Sequence, residues 1–150
     1  MSTLSSSKEK SASILLVDGS RHGSVARRRL LEDQGHKITF APNPEEALEA
    51  FARDRFDLVV TDFKMPVMNG IELIDKVRKI RPDVGTVLLH GYAEGMGLDE
   101  RSSGADAVVS KGANEVGHLL RAVNRLVNRA HRKPAASQRT TRLKGRAKGA

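Results

Sequence analysis

Four side chains able to handle charge follow short apolar runs: Asp18 after residues 14–17, Asp62 after 58–61, His90 after 87–89, and Lys111 just past 107–109. A carboxylate can attack phosphorus and form an aspartyl phosphate, provided that nearby cations neutralise the charge on the transferring group. Magnesium usually supplies most of that neutralisation, and carboxylates at adjacent strand ends suit its preference for hard oxygen ligands. A lysine in the same crevice adds a fixed positive charge facing the phosphoryl oxygens. Taken singly, these residues are ordinary polar groups meeting solvent in loops. Taken together, they describe a site for accepting phosphate.

Such a site requires the runs to be neighbours in one sheet. The segments 14–17, 58–61, 87–89 and 107–109 are apolar and of strand length, 37–41 is a weaker fifth, and stretches of helical period separate them. That alternation predicts an α/β fold, a doubly wound parallel sheet of five strands with helices on both faces. Sheets of this kind bind ligands at the carboxyl ends of their strands. The first helix is predicted over 25–34, stopped by Gly35. Asn43, Pro44, Glu45 and Glu46 open the second, whose buried stripe is Ala47, Leu48 and Phe51. A third follows Gly70, buries Ile71, Ile74 and Val77, and ends at Arg81 before Pro82. The fourth, over 94–103, is poorly specified because Gly95 and Gly97 disfavour helix. The last presents Val116, Leu119, Leu120, Val123 and Val127 at helical spacing, with Arg125 and Arg129 near its negative end.

A chain of 150 residues forms one ordinary domain. Cysteine is absent, which excludes disulfides and cysteine-based zinc sites and fits a cytoplasmic location. With no Trp, four Phe and one Tyr, aromatic platforms for base stacking are disfavoured. The net charge of +8 is local: seven bases and no acid lie from Arg132 onward, which leaves residues 1–131 nearly neutral. The expected organisation is a disordered segment over 1–12, a folded body over 13–131 and a basic, disordered tail over 132–150. No apolar run approaches membrane-spanning length, so no membrane association is expected. The tail could neutralise nucleic-acid phosphates, although no sequence-reading module accompanies it. The loop 19–24 lacks both the dinucleotide fingerprint and the P-loop lysine spacing.

The run Asp62-Phe63-Lys64-Met65-Pro66-Val67-Met68-Asn69-Gly70 resembles the signature of response-regulator receiver domains, in which the phosphoacceptor is followed by Met-Pro, then Met, then Gly. Ile14-Leu15-Leu16-Val17-Asp18, Gly104-Ala105-Asp106 and Ser110-Lys111 resemble the same family, so the likeness covers residues 13 to about 129. It implies a flavodoxin-like sheet of order 2-1-3-4-5. By that resemblance Asp62 is the phosphoacceptor, Asp18 an acidic-pocket residue and Lys111 the phosphate-binding lysine. Asp18, Asp62 and the Lys64 carbonyl would be the metal ligands. A histidine kinase or phosphotransfer protein would be the upstream partner, with a downstream protein target and room for a homodimer.

Four departures from the pattern cluster in the pocket: Gly19 stands where a second, metal-ligating acid is usual, His90 where Ser or Thr is usual, Val108 where an aromatic residue is usual, and Gly112 where proline is usual. Asp18 and Asp62 then face Lys111, with Lys64 close in sequence, and the formal charge lies between minus one and zero. A unit charge about 4 Å away is worth on the order of 4 kcal/mol at an effective dielectric near 20. Magnesium binding is therefore expected to be weak or absent. His90 is either a hydrogen-bond donor to a phosphoryl oxygen or a solvated loop histidine. Arg27, Arg28 and Arg29 read as a solvated basic face on the first helix, which by resemblance helps to dock the partner kinase.

Three functions follow. The first is a signalling receiver phosphorylated on Asp62 that acts through protein contacts. The second is a receiver-like binding module that has lost phosphorylation, and the third a nucleic-acid-associated protein that uses its tail. An enzyme acting on a diffusible metabolite is not expected, since no deep cofactor motif accompanies the acids.

Overall fold

The computed structural model describes residues 11–91 and 97–131. Five strands, β1 (Ser13–Val17), β2 (Lys37–Ala41), β3 (Leu58–Asp62), β4 (Gly85–His90) and β5 (Ala107–Ser110), form one sheet of order β2-β1-β3-β4-β5. Every pairing is parallel. The helices are α1 (Arg21–Asp33), α2 (Pro44–Arg53), α3 (Gly70–Ile80), the four-residue α4 (Glu100–Ser103) and α5, which covers residues 115–131. None of the described helices is long and apolar enough to cross a membrane.

Alternation along the strands divides the core. Ile14, Leu16, Leu58, Val60, Val87, Leu89, Ala107 and Val109 pack with Leu31 of α1 and with Leu119, Val123, Leu126 and Val127 of α5. Leu15, Val17 and Val59 face the other way, onto Ala47 and Phe51 of α2 and Leu73 and Val77 of α3. Leu88 meets Ile74 and Ala105, with Leu98 and Val108 beside them.

Side-chain caps set the helix starts. Ser20 accepts from the Gly23 N–H, so α1 begins four residues before the predicted position. Asn43 accepts from the Glu46 N–H, with Pro44 in the first turn. At α3, Asn69 and Glu72 exchange hydrogen bonds of 2.9 Å in each direction, forming a capping box. The expected fourth helix is reduced to one described turn, stopped by Gly104 at φ 77°, and residues 94–96 of that expectation lie outside the described residues. Val116 is a correction: it is 55% exposed, whereas Ala122 and Leu126 are buried. Val116 lies in the first turn of α5, ahead of the packed stripe, which begins at Leu119. The expected N-terminal segment and basic tail fall almost wholly on residues 1–10 and 132–150, outside the described residues.

Candidate functional site

Register decides which strand-end residues meet. Val17 pairs with Thr61, so Asp18 and Asp62 come next on adjacent strands, and Ser110 pairs with His90, so Lys111 follows at the same edge. Parity decides the side. Asp18 continues the series Ile14 and Leu16, Asp62 continues Leu58 and Val60, and Lys111 continues Ala107 and Val109. All three therefore turn toward the α1 and α5 face. Asp18 is fully buried, Asp62 is 4% exposed, and the Lys111 ammonium ion-pairs with Asp62 Oδ1. That contact is one of charge: no well-directed hydrogen bond reaches Asp62 Oδ1.

Asp62 is held as a weakened acid. Burial, and then the neighbouring Asp18 carboxyl, push its pKa up to about 6 against the opposing pull of Lys111. At neutral pH it is still mostly ionised.

His90 carries the other parity, that of Leu88. Its ring Nδ1 lies 2.9 Å from the Gly91 carbonyl oxygen, and no hydrogen bond or ion pair joins the ring to Asp62 or to the Lys111 side chain. Lys64 is exposed, and the ion pairs of Asp18 and Asp62 are made by Arg27 and Lys111 instead. The cation that does enter is Arg27, which corrects the reading of that residue as part of a solvated face. It is 9% exposed, and its Nη1 donates to Asp18 Oδ2 at 2.5 Å. Its Nε donates to Glu115 Oε2 at 2.6 Å, and its Nη2 to Glu115 Oε1 at 3.2 Å. Burial alone would ease a proton off Arg27, but Glu115 and Asp18 overcome it and hold the guanidinium charged. Sequence reasoning missed both Arg27 and Glu115. The only local trace is Gly23, one turn before Arg27, where a Cβ would come within 2.5 Å of Arg27 Nη1.

The family model of the response regulator receiver domain matches residues 14–124. The chain belongs to the response-regulator receiver family. Receiver domains work in two-component signalling, where they take a phosphoryl group on an aspartate and generally hold Mg2+ at the acidic pocket. Among similar solved structures are a CheY-like receiver domain from Methanospirillum hungatei, with 28% identity, a TM-score of 0.72 and coverage of 81% of this chain and 97% of that one, and the Thermotoga maritima response regulator TrrA in complex with Mg2+-BeF, with 32% identity, a TM-score of 0.68 and coverage of 76% and 97%. A response regulator receiver protein of Anaeromyxobacter sp. is 33% identical over 98 residues, which is 65% of this chain and 41% of that protein. This chain thus spans about half or less of the first curated relatives it matches.

The donor set does not fit a receiver-type magnesium ion. Asp18 Oδ2 is occupied by Arg27, and Asp18 Oδ1 accepts from the Ser20 N–H at 2.8 Å. Position 19 offers no side-chain ligand, and Asp62 Oδ1 already faces an ammonium. Among the described residues no group of three or more His, Cys, Asp or Glu side chains is placed to hold a metal ion.

Proposed function

We propose that this receiver domain accepts a phosphoryl group on Asp62 from a histidine kinase or phosphotransfer protein and signals through protein contacts, in the cytoplasm and without turning over a substrate. The observation that carries this reading is the buried Asp62 carboxylate at the end of β3, ion-paired with Lys111 and flanked by Asp18. A carboxylate oxygen of Asp62 attacks phosphorus, the new O–P bond forms as the bond to the donor breaks, and the leaving group departs with the electron pair and takes a proton from solvent. Lys111 is freed from the ionised carboxylate as that charge moves onto the phosphoryl oxygens, and it stays in reach to neutralise them. Divalent metal contributes weakly or not at all. Adduct formation slows below about pH 6, as the nucleophile becomes protonated.

Intact-protein mass spectrometry after incubation with a small phosphodonor tests this, with Asp62→Ala as the control. A single phosphoryl adduct on the wild type that the control lacks supports the reading. Absence of an adduct from both a small donor and a kinase would leave the second reading, a receiver-like binding module that works without phosphate. What favours that reading is the Arg27 ion pairs, which already neutralise Asp18 in the resting cleft. A nucleic-acid role rests on the tail alone, and unchanged DNA retention at low salt after deletion of the residues following His131 would dispose of it.

A further inference from the structure

Arg27 enters the cleft from α1, and its guanidinium is shared between two acids that lie on other elements. One is Asp18 at the end of β1; the other is Glu115 at the start of α5. With the Ser20 N–H on the remaining oxygen, both oxygens of Asp18 are engaged inside the protein. Counting Asp18, Asp62 and Glu115 against Arg27 and Lys111, the cleft carries a formal charge of minus one with two cations already in place. A divalent ion at Asp18 would have to displace a guanidinium held by two carboxylates, which leaves the mostly buried Glu115 unpaired, or sit at ion-pair distance from a fixed positive charge. Both alternatives are costly.

The geometry points to Arg27 as a resident cation that takes the place of the divalent metal, making the cleft a metal-independent site for a phosphoryl group. Its planar fork suits the task, because it holds Asp18 and Glu115 at once, and a guanidinium stays charged throughout the working pH range. Gly19 and Arg27 are then complementary. Without an acid at position 19 the pocket has too little negative charge to retain a metal ion, and the arginine supplies the counter-charge that Asp18 needs. The two residues can be separated by mutation, because position 19 has space: a Cβ there would meet nothing nearer than the Pro42 carbonyl oxygen at 3.8 Å.

The phosphoryl part of this inference rests on the Asp62 reading, but the metal part is measured without any phosphodonor, so the two can fail separately. The test titrates Mn2+ by electron paramagnetic resonance and Mg2+ by calorimetry into the full chain, its Gly19→Asp and Arg27→Gln variants and the double variant. The wild type is expected to show no saturable binding into the millimolar range. Gly19→Asp alone should bind at least roughly tenfold more weakly than the double variant, since the arginine still occupies Asp18. Saturable sub-millimolar binding by the wild type would overturn the inference, as would Gly19→Asp alone matching the double variant. Should Arg27→Gln prove unstable, the Arg27 Nε–H resonance of the wild type decides. It is expected to stay unmoved by Mg2+, and a saturable shift would contradict the proposal. Where the Asp62 adduct forms, it should form equally in EDTA and in Mg2+ for the wild type; an absolute requirement for Mg2+ would also overturn it.

Discussion

Asp62 is placed where its charge costs stability. The ordinary carboxylate value lies near 3.8 and the folded value at about 6, so between those pH values the native state keeps a proton that the unfolded chain has released. Stability therefore falls as pH rises through that window. Asp62→Asn is predicted to raise stability by about 1–2 kcal/mol at neutral pH and by almost nothing near pH 4, as read from urea midpoints across pH. Val67 holds a second reserve. It is fully exposed at φ 74°, and the Met68 N–H donates to the Pro66 carbonyl oxygen at 2.8 Å across it, a tight turn that a β-branched residue adopts only under strain. Val67→Gly should stabilise the protein by about 0.5–1.5 kcal/mol in a denaturant titration, the relieved strain exceeding the added chain entropy. Asp18, Asp62 and Lys111 were legible because each stands within two residues of the end of an apolar run at one sheet edge. Arg27 was not, because three consecutive arginines look like a solvated face. Its burial depends on Asp18, nine positions away, and on Glu115, 88 positions away.

Elements were readable where local chemistry alone decides them. Asn43 with Pro44, and Arg81 before Pro82, marked helix boundaries that the fold retains. Strand β2 matches the expected 37–41, and the other strands gain a residue or more at their ends, where ladder pairing outlasts the apolar run. The first helix was placed late because Ser20 was not read as its cap, and Val116 was counted into the stripe of α5 because it fits the period, although the packed stripe begins only at Leu119. Gly70 shows how an element positions the site. A Cβ there would overlap the Asp62 carbonyl oxygen and lie 2.6 Å from Leu88 Cδ1, so glycine lets α3 start directly against the end of β3. Gly70→Ala is predicted to cost roughly 2–3 kcal/mol in thermal unfolding and to slow adduct formation on Asp62, because backbone, not a flexible side chain, must move.

At the scale of the molecule, the two edges of the sheet carry different burdens. The carboxyl edge holds the cleft, while the amino edge is tied by Asp106. That residue accepts from the Thr86 N–H at 2.9 Å and pairs with Arg78 of α3 at 3.0 Å and Arg129 of α5 at 3.1 Å. Burial pushes its carboxyl up, but Thr86, Arg129 and Arg78 together hold it below the usual carboxylate range. Its contribution is therefore present above about pH 4 and lost as pH falls further. Asp106→Ala should destabilise by about 1–3 kcal/mol at neutral pH, with the gap closing in acid. The fold class followed from the order of elements. The site's charge balance did not, because it arises from groups on five separate elements. The central claim is that phosphate is received on Asp62, and borohydride trapping followed by peptide mapping tests it most directly, since only an acyl phosphate is reduced to the alcohol. A reduced side chain at position 62, formed only after exposure to a phosphodonor, is the predicted result. Reduction at another acid, or none after transfer has been demonstrated, would contradict it.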